Sequence, residues 1–166
     1  MHLILKAFYY ALSAFILGKL YKAFLILLLN TLAEGQVPLI ESITYFQVEY
    51  TWSFMISPLL MAPLFETSIV CYFLFRIYKK YNLQRWAIFR QWGFIIPSAV
   101  IFSLLHLIIP GAGYYRLGYT FIGGLLLAHL FLTTVKTHDI NKAFWTTVLS
   151  HSFFNLFPFI LSPIFM

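Results

Sequence analysis

Apolar stretches long enough to cross a bilayer recur along the chain, at roughly 3–32, 52–75, 92–109, 118–135 and 143–165. A helix needs about 20 such residues to traverse the hydrocarbon core. Backbone amides find no water there, so a spanning segment must be a helix or a strand of a closed barrel. These runs are too long and too little alternating for barrel strands, which leaves helices. With 61% hydrophobic and 10% charged residues in a 166-residue chain, a soluble domain could not hide the apolar surface. The expected fold is all-α, a polytopic bundle of about five transmembrane helices. Residues 1–51 read as an N-terminal membrane or interfacial helix with an outer loop, and 52–166 as a four-helix core.

The net charge of +6 does not make a nucleic-acid surface, because the basic residues sort by loop and form no stripe with aromatic partners. Arg76, Lys79, Lys80, Arg85 and Arg90 follow the second run, and Lys136 and Lys142 lie between the fourth and fifth. The alternate loops carry Glu34, Glu41 and Glu49 without a cation, and Arg116 alone. By the positive-inside rule this orients the N-terminus inside and the C-terminus outside, and a bacterial inner membrane is the expected home. Lys19 and Lys22, three apart in the first run, must snorkel, face the bundle or reach an interface, so that run either spans the bilayer or lies at its surface. Cys71 is the single cysteine, so no intrachain disulfide can form.

Ionisable groups within a span cost roughly 2–4 kcal/mol on insertion scales, and each calls for a reason. Glu66 falls in the second run, His106 at the end of Phe-Ser-Leu-Leu-His in the third, and His151 and Asn155 in His-Ser-Phe-Phe-Asn in the fifth. A spacing of four puts His151 and Asn155 on one helix face, and puts Phe102 one turn below His106, where it can pack on the imidazole. Pro58 and Pro63 precede Glu66 and should distort the helix there. A carboxylate can take a proton from water, an imidazole can share it, and a His with an Asn amide can donate to an oxyanion. Each residue alone could equally be a packed, hydrogen-bonded side chain. Four of them on three helices favour a site.

Other intramembrane protease designs lack parts. Asp139 is the only aspartate and lies in a loop, His-Glu-x-x-His is absent, and no Gly-x-Ser-x-Gly occurs. Taken together, the residues at 55–160 resemble the CPBP family, the CAAX-processing and bacteriocin-processing intramembrane proteases related to the Ras-converting CAAX endopeptidase. Its three motifs are Glu-Glu-x-x-x-Arg, Phe-x-x-x-His and His-x-x-x-Asn. Phe102 with His106 matches the second, His151 with Asn155 the third, and Glu66 the leading position of the first, where Thr67 and Cys71 replace the second Glu and the Arg.

The resemblance implies a four-helix catalytic core and a glutamic-type intramembrane endopeptidase. Glu66 and His106 would activate water, and His151 and Asn155 would line an oxyanion hole. Phe102, Thr67 and His129 would support them, His129 standing outside the motifs. A metal-free site is favoured, with zinc on Glu66, His106 and His151 as the alternative. The substrate would be a membrane-embedded or lipid-anchored peptide. A bacteriocin-immunity or binding factor that lost turnover, and a proton- or ion-conducting bundle, are the competing readings.

Overall fold

The computed structural model describes residues 2–32, 56–81, 92–107 and 115–161. Among them are five helices and no strand: α1 (His2–Leu32), α2 (Ser57–Lys80), α3 (Trp92–Leu105), α4 (Tyr115–Val135) and α5 (Ile140–Leu161). The acidic loop with Glu34, Glu41 and Glu49, the basic positions Arg85 and Arg90, and most of the 110–117 loop lie outside the described residues. All-helical architecture is what the apolar runs demanded. Helices α1, α2 and α4 are long and apolar enough to cross a membrane, whereas α3 is apolar but has 14 residues. Helix α5 has 22 residues.

The surface is inverted relative to a soluble protein. Leu20, Phe24, Leu27, Leu60, Phe65 and Trp92 are each about 60% exposed on the outside of the bundle, where lipid would cover them. Lipid tails are as apolar as the side chains, so helix association here depends on close packing and polar contacts rather than on the hydrophobic effect. Helix α1 displays the residues for this. Ala7, Ala11, Ala14 and Gly18 recur every three or four positions on one face, and all four are buried.

That face runs antiparallel along α4 and also meets α5. Lys6 Nζ donates to Thr134 Oγ1 at 3.2 Å near one end, and the Tyr10 hydroxyl meets His129 Nδ1 at 2.8 Å further along. Beyond these, Tyr119 of α4 packs onto Gly18 of α1 while Tyr21 of α1 packs onto Gly118 of α4. A Cβ at either glycine would overlap the facing ring, so each tyrosine occupies a notch that only glycine leaves open.

The other four-helix contact set surrounds an aromatic core. Phe75, Phe94 and Phe131 bring α2, α3 and α4 together with ring centroids 5.4–6.0 Å apart. Helices α3 and α4 approach most closely where Gly124 faces Ala99: a Cβ there would lie 2.8 Å from the Ala99 Cα. Gly124 thus permits the close approach of the two helices.

Helix α2 is not regular. Ser57–Met61 and Ser68–Phe73 are π-helical turns flanking the α-helical Ala62–Thr67. The distortion expected from Pro58 and Pro63 is thus an insertion of wide turns, a form that π-bulges commonly take near functional positions.

Candidate active site

Glu66 projects from the α-helical turn between the two π-helical stretches of α2. Its Oε2 lies 3.9 Å from His106 Nε2 at the end of α3 and 3.5 Å from His151 Nε2 on α5. Three helices therefore converge on one carboxylate. Glu66 and His106 are each largely buried, and His151 is 1% exposed.

The two histidines are held differently. His106 Nδ1 lies 2.9 Å from the Phe102 carbonyl oxygen. In the neutral ring that contact assigns the proton to Nδ1, which donates, and leaves Nε2 with a lone pair facing Glu66. Phe102 also packs its ring at 4.6 Å from the His106 ring and 5.2 Å from that of His151. One phenylalanine thus fixes both imidazoles, a broader role than packing below His106 alone. His151 Nδ1 and Glu66 Oε2 are buried and make no hydrogen bond within the protein.

Asn155 sits one turn beyond His151, and its Nδ2 donates to the Pro58 carbonyl oxygen at 2.7 Å. The reason lies in α2. The Ala62 N–H bonds to Ser57 O, one residue further back than an α-helix would take it, and the next residue, Pro63, has no N–H. The Pro58 carbonyl is left without a backbone donor, and the Asn155 amide supplies one. An Asn amide has two N–H donors, so one remains for a second acceptor.

Ser103 and Thr120 were not anticipated as contributors. Ser103 Oγ donates to the Leu117 carbonyl oxygen at 2.7 Å, and Thr120 Oγ1 lies 3.2 Å from Ser103 Oγ, tying α3 to α4 just below His106. Their signal was faint: a serine within the Phe-Ser-Leu-Leu-His motif and a threonine one helix on. His129 lies apart from this cluster. It stacks on Tyr10 at 5.8 Å and pairs with the tyrosine hydroxyl, so it joins α1 to α4.

Thr67 and Cys71 are both 2% exposed, and Cys71 belongs to the core with Val70 and Phe75. In the family motif these positions carry Glu and Arg, four apart on a helix and able to pair. Here both positions are small, neutral and buried, so neither strands a charge in the core.

A cavity of about 440 Å³ opens beside Glu66 and His106. Asn155 and Pro58 contribute to one wall, and α1 supplies another through Lys19 and Lys22. Lys19 is exposed and Lys22 half-buried, and both border this cavity.

A family model for type II CAAX prenyl endopeptidase Rce1-like proteins matches residues 48–157, most of the chain and every motif position named above. The chain belongs to that family. Neither the curated proteins nor the solved structures gave a match. Membership makes it a CAAX-protease-type protein of the membrane, as the motifs in α3 and α5 implied.

The family resemblance had offered zinc as the alternative to a metal-free site. Among the described residues, no group of three His, Cys, Asp or Glu side chains has a metal-holding arrangement, and Glu66, His106 and His151 as placed do not form one.

Proposed function

We propose that the chain is an intramembrane endopeptidase in which Glu66 and His106 activate a water molecule. The observation that carries this reading is the meeting of Glu66 with two histidines from separate helices, Glu66 and His106 lining a cavity and His151 buried behind them. With Glu66 ionised and His106 neutral, the carboxylate oxygen and the His106 Nε2 lone pair are both acceptors, 3.9 Å apart. A water donating one hydrogen to each would turn its oxygen lone pairs toward a peptide carbonyl. As it attacks, the carboxylate takes the proton and can pass it to the leaving amine.

The developing oxyanion would be met by the second N–H of Asn155 and by His151 in its Nε2–H form. The Pro58 carbonyl aims that amide. Phe102 and Thr67 pack around the site, and His129 supports it from a distance by holding α1 to α4. The substrate implied by the family description is a prenylated peptide, entering from the lipid or its surface.

The test compares native protein with Glu66→Gln on prenylated CAAX-type peptides in proteoliposomes. General acid–base chemistry is worth about 10²–10⁴-fold, so the variant should lose at least that much cleavage. Equal cleavage by both would remove Glu66 from the mechanism. Thr67 and Cys71, where the family pattern has Glu and Arg, favour a second reading: a binding or immunity factor on the same scaffold. Peptide binding without cleavage by the native chain would support it.

A further inference from the structure

Three cations line the cavity beside Glu66: Lys19 and Lys22 from α1, and Arg116 from the start of α4. The rest of that wall is aromatic or small, with Phe15, Gly18 and Tyr119 among its residues. Lys19 is exposed and Lys22 half-buried on the cavity's open side, and charged side chains partway along an apolar helix are usually found where a ligand or partner meets them. Packing fixes these lysines in place. Gly18 precedes Lys19 and is seated under the Tyr119 ring, and Tyr21 precedes Lys22 and fills the notch at Gly118. Rotating α1 to turn the lysines away from the cavity would pull both tyrosines from their notches. Lys19 Nζ also lies over the Phe15 ring, 5.4 Å from its centroid, with its stem along the cavity wall.

We infer that Lys19 and Lys22 form a carboxylate-binding subsite, which selects peptides carrying a negative charge a few residues from the bond presented to Glu66. This rests on the peptidase reading for its occupant but not for its measurement. Glu66 is the one acidic side chain on the cavity wall among the described residues, and the cations that share the cavity with it are Lys19 and Lys22 on α1 and Arg116 at the start of α4. An extended peptide advances roughly 3.3 Å per residue and can span between them. The occupant of a peptidase cavity is a peptide, whose own anionic groups are carboxylates, so the carboxylate rather than a phosphate is the group assigned. The carboxylate can be a chain terminus or an acidic side chain.

The experiment uses full-length Glu66→Gln protein in zwitterionic nanodiscs, so that binding is read without turnover. The probes are three fluorescent peptides of one apolar sequence: one with a free terminal carboxylate, one amidated, and one amidated with a final Asp. The free-carboxylate peptide is expected to bind at least about tenfold more tightly than the plain amide, as befits a charge-assisted contact. The preference should shrink as salt is raised.

Lys19→Gln with Lys22→Gln should abolish it, and Lys19→Arg with Lys22→Arg, which keeps charge and bulk, should preserve it. Tight binding of the Asp peptide extends the subsite to any carboxylate, and weak binding restricts it to chain termini. Equal binding of acid and amide overturns the inference, as does a preference that survives the double Gln substitution in a protein whose arginine counterpart is folded. Displacement of every peptide by phosphatidylglycerol would overturn the choice of occupant. If the native chain binds with the stated preference but does not cleave, the peptidase reading alone falls. If it cleaves with no preference, the lysine subsite alone falls.

Discussion

The Asn155 amide donates to the Pro58 carbonyl across the gap between α5 and α2 at 2.7 Å, and that carbonyl is available because Pro63 has no N–H to offer it. Two prolines five apart on one helix therefore aim a side chain on another. Pro63→Ala supplies the missing donor and lets the backbone compete for the carbonyl. We predict a folded protein with equal or higher thermal stability, an Asn155 amide that loses its single orientation, and cleavage reduced roughly tenfold or more. Activity assays with nitrogen-15 amide spectra of Asn155 would check this. Unchanged activity would show that the Pro58 contact is incidental.

Gly124 faces backbone as well as side chain, because an added Cβ would come within 2.8 Å of the Ala99 Cα and 3.1 Å of the Phe102 Cβ. Neither neighbour can swing aside as a flexible side-chain tip would. Gly124→Val should therefore push α3 from α4, costing about 1–3 kcal/mol in overpacking and moving Phe102, which touches both histidines. Gly123→Ala has milder neighbours, with ring carbons of Phe154 at 3.5 Å, and should be tolerated. Thermal melts of the two variants in detergent give the comparison.

Thr67 and Cys71 should behave as a coupled pair under substitution toward the family motif. Thr67→Glu or Cys71→Arg alone buries one unpaired charge and should destabilise strongly, by about 3–5 kcal/mol. The double substitution should recover much of that loss. A double-mutant cycle on melting temperature measures the coupling, and strict additivity would mean that the two positions do not pair.

Asp139 opens α5 by accepting the Lys142 backbone N–H at 2.9 Å. That contact, more than the nearby Lys142 ammonium, holds its carboxyl below the usual carboxylate range. A group with a depressed folded pKa contributes stability above its unfolded value, near 3.9, and loses it as pH falls through the lower folded value. Asp139→Ala should lower the melting temperature at neutral pH and narrow its difference from native below about pH 4. Asp139→Ser keeps a capping oxygen and should retain most of the native value without that acid sensitivity.

The helices and the motif residues were legible because each leaves a local mark. Apolar length announces a helix in lipid, and an ionisable residue there stands out by its cost. Spacing of four put His151 with Asn155 and Phe102 with His106, and the structure brings these beside Glu66. What the sequence withheld is set by backbone geometry and by pairing across helices. The π-helical turns of α2 depend on where its hydrogen bonds shift, and neither proline by itself says that Asn155 will answer. The notches at Gly18 and Gly118 need two helices in register before they exist. Without that register Lys19 and Lys22 could equally have pointed to lipid headgroups.

The ring packing of Phe75, Phe94 and Phe131 joins α2, α3 and α4 on the Lys80 side of Glu66, while the chamber, lined by Pro58, Ala62 and Glu66 itself, lies on the other side of it. Among the described residues, that stack of rings floors the chamber. A stream of ions or protons heading for the Lys80 end of α2 would have to breach those close-packed rings.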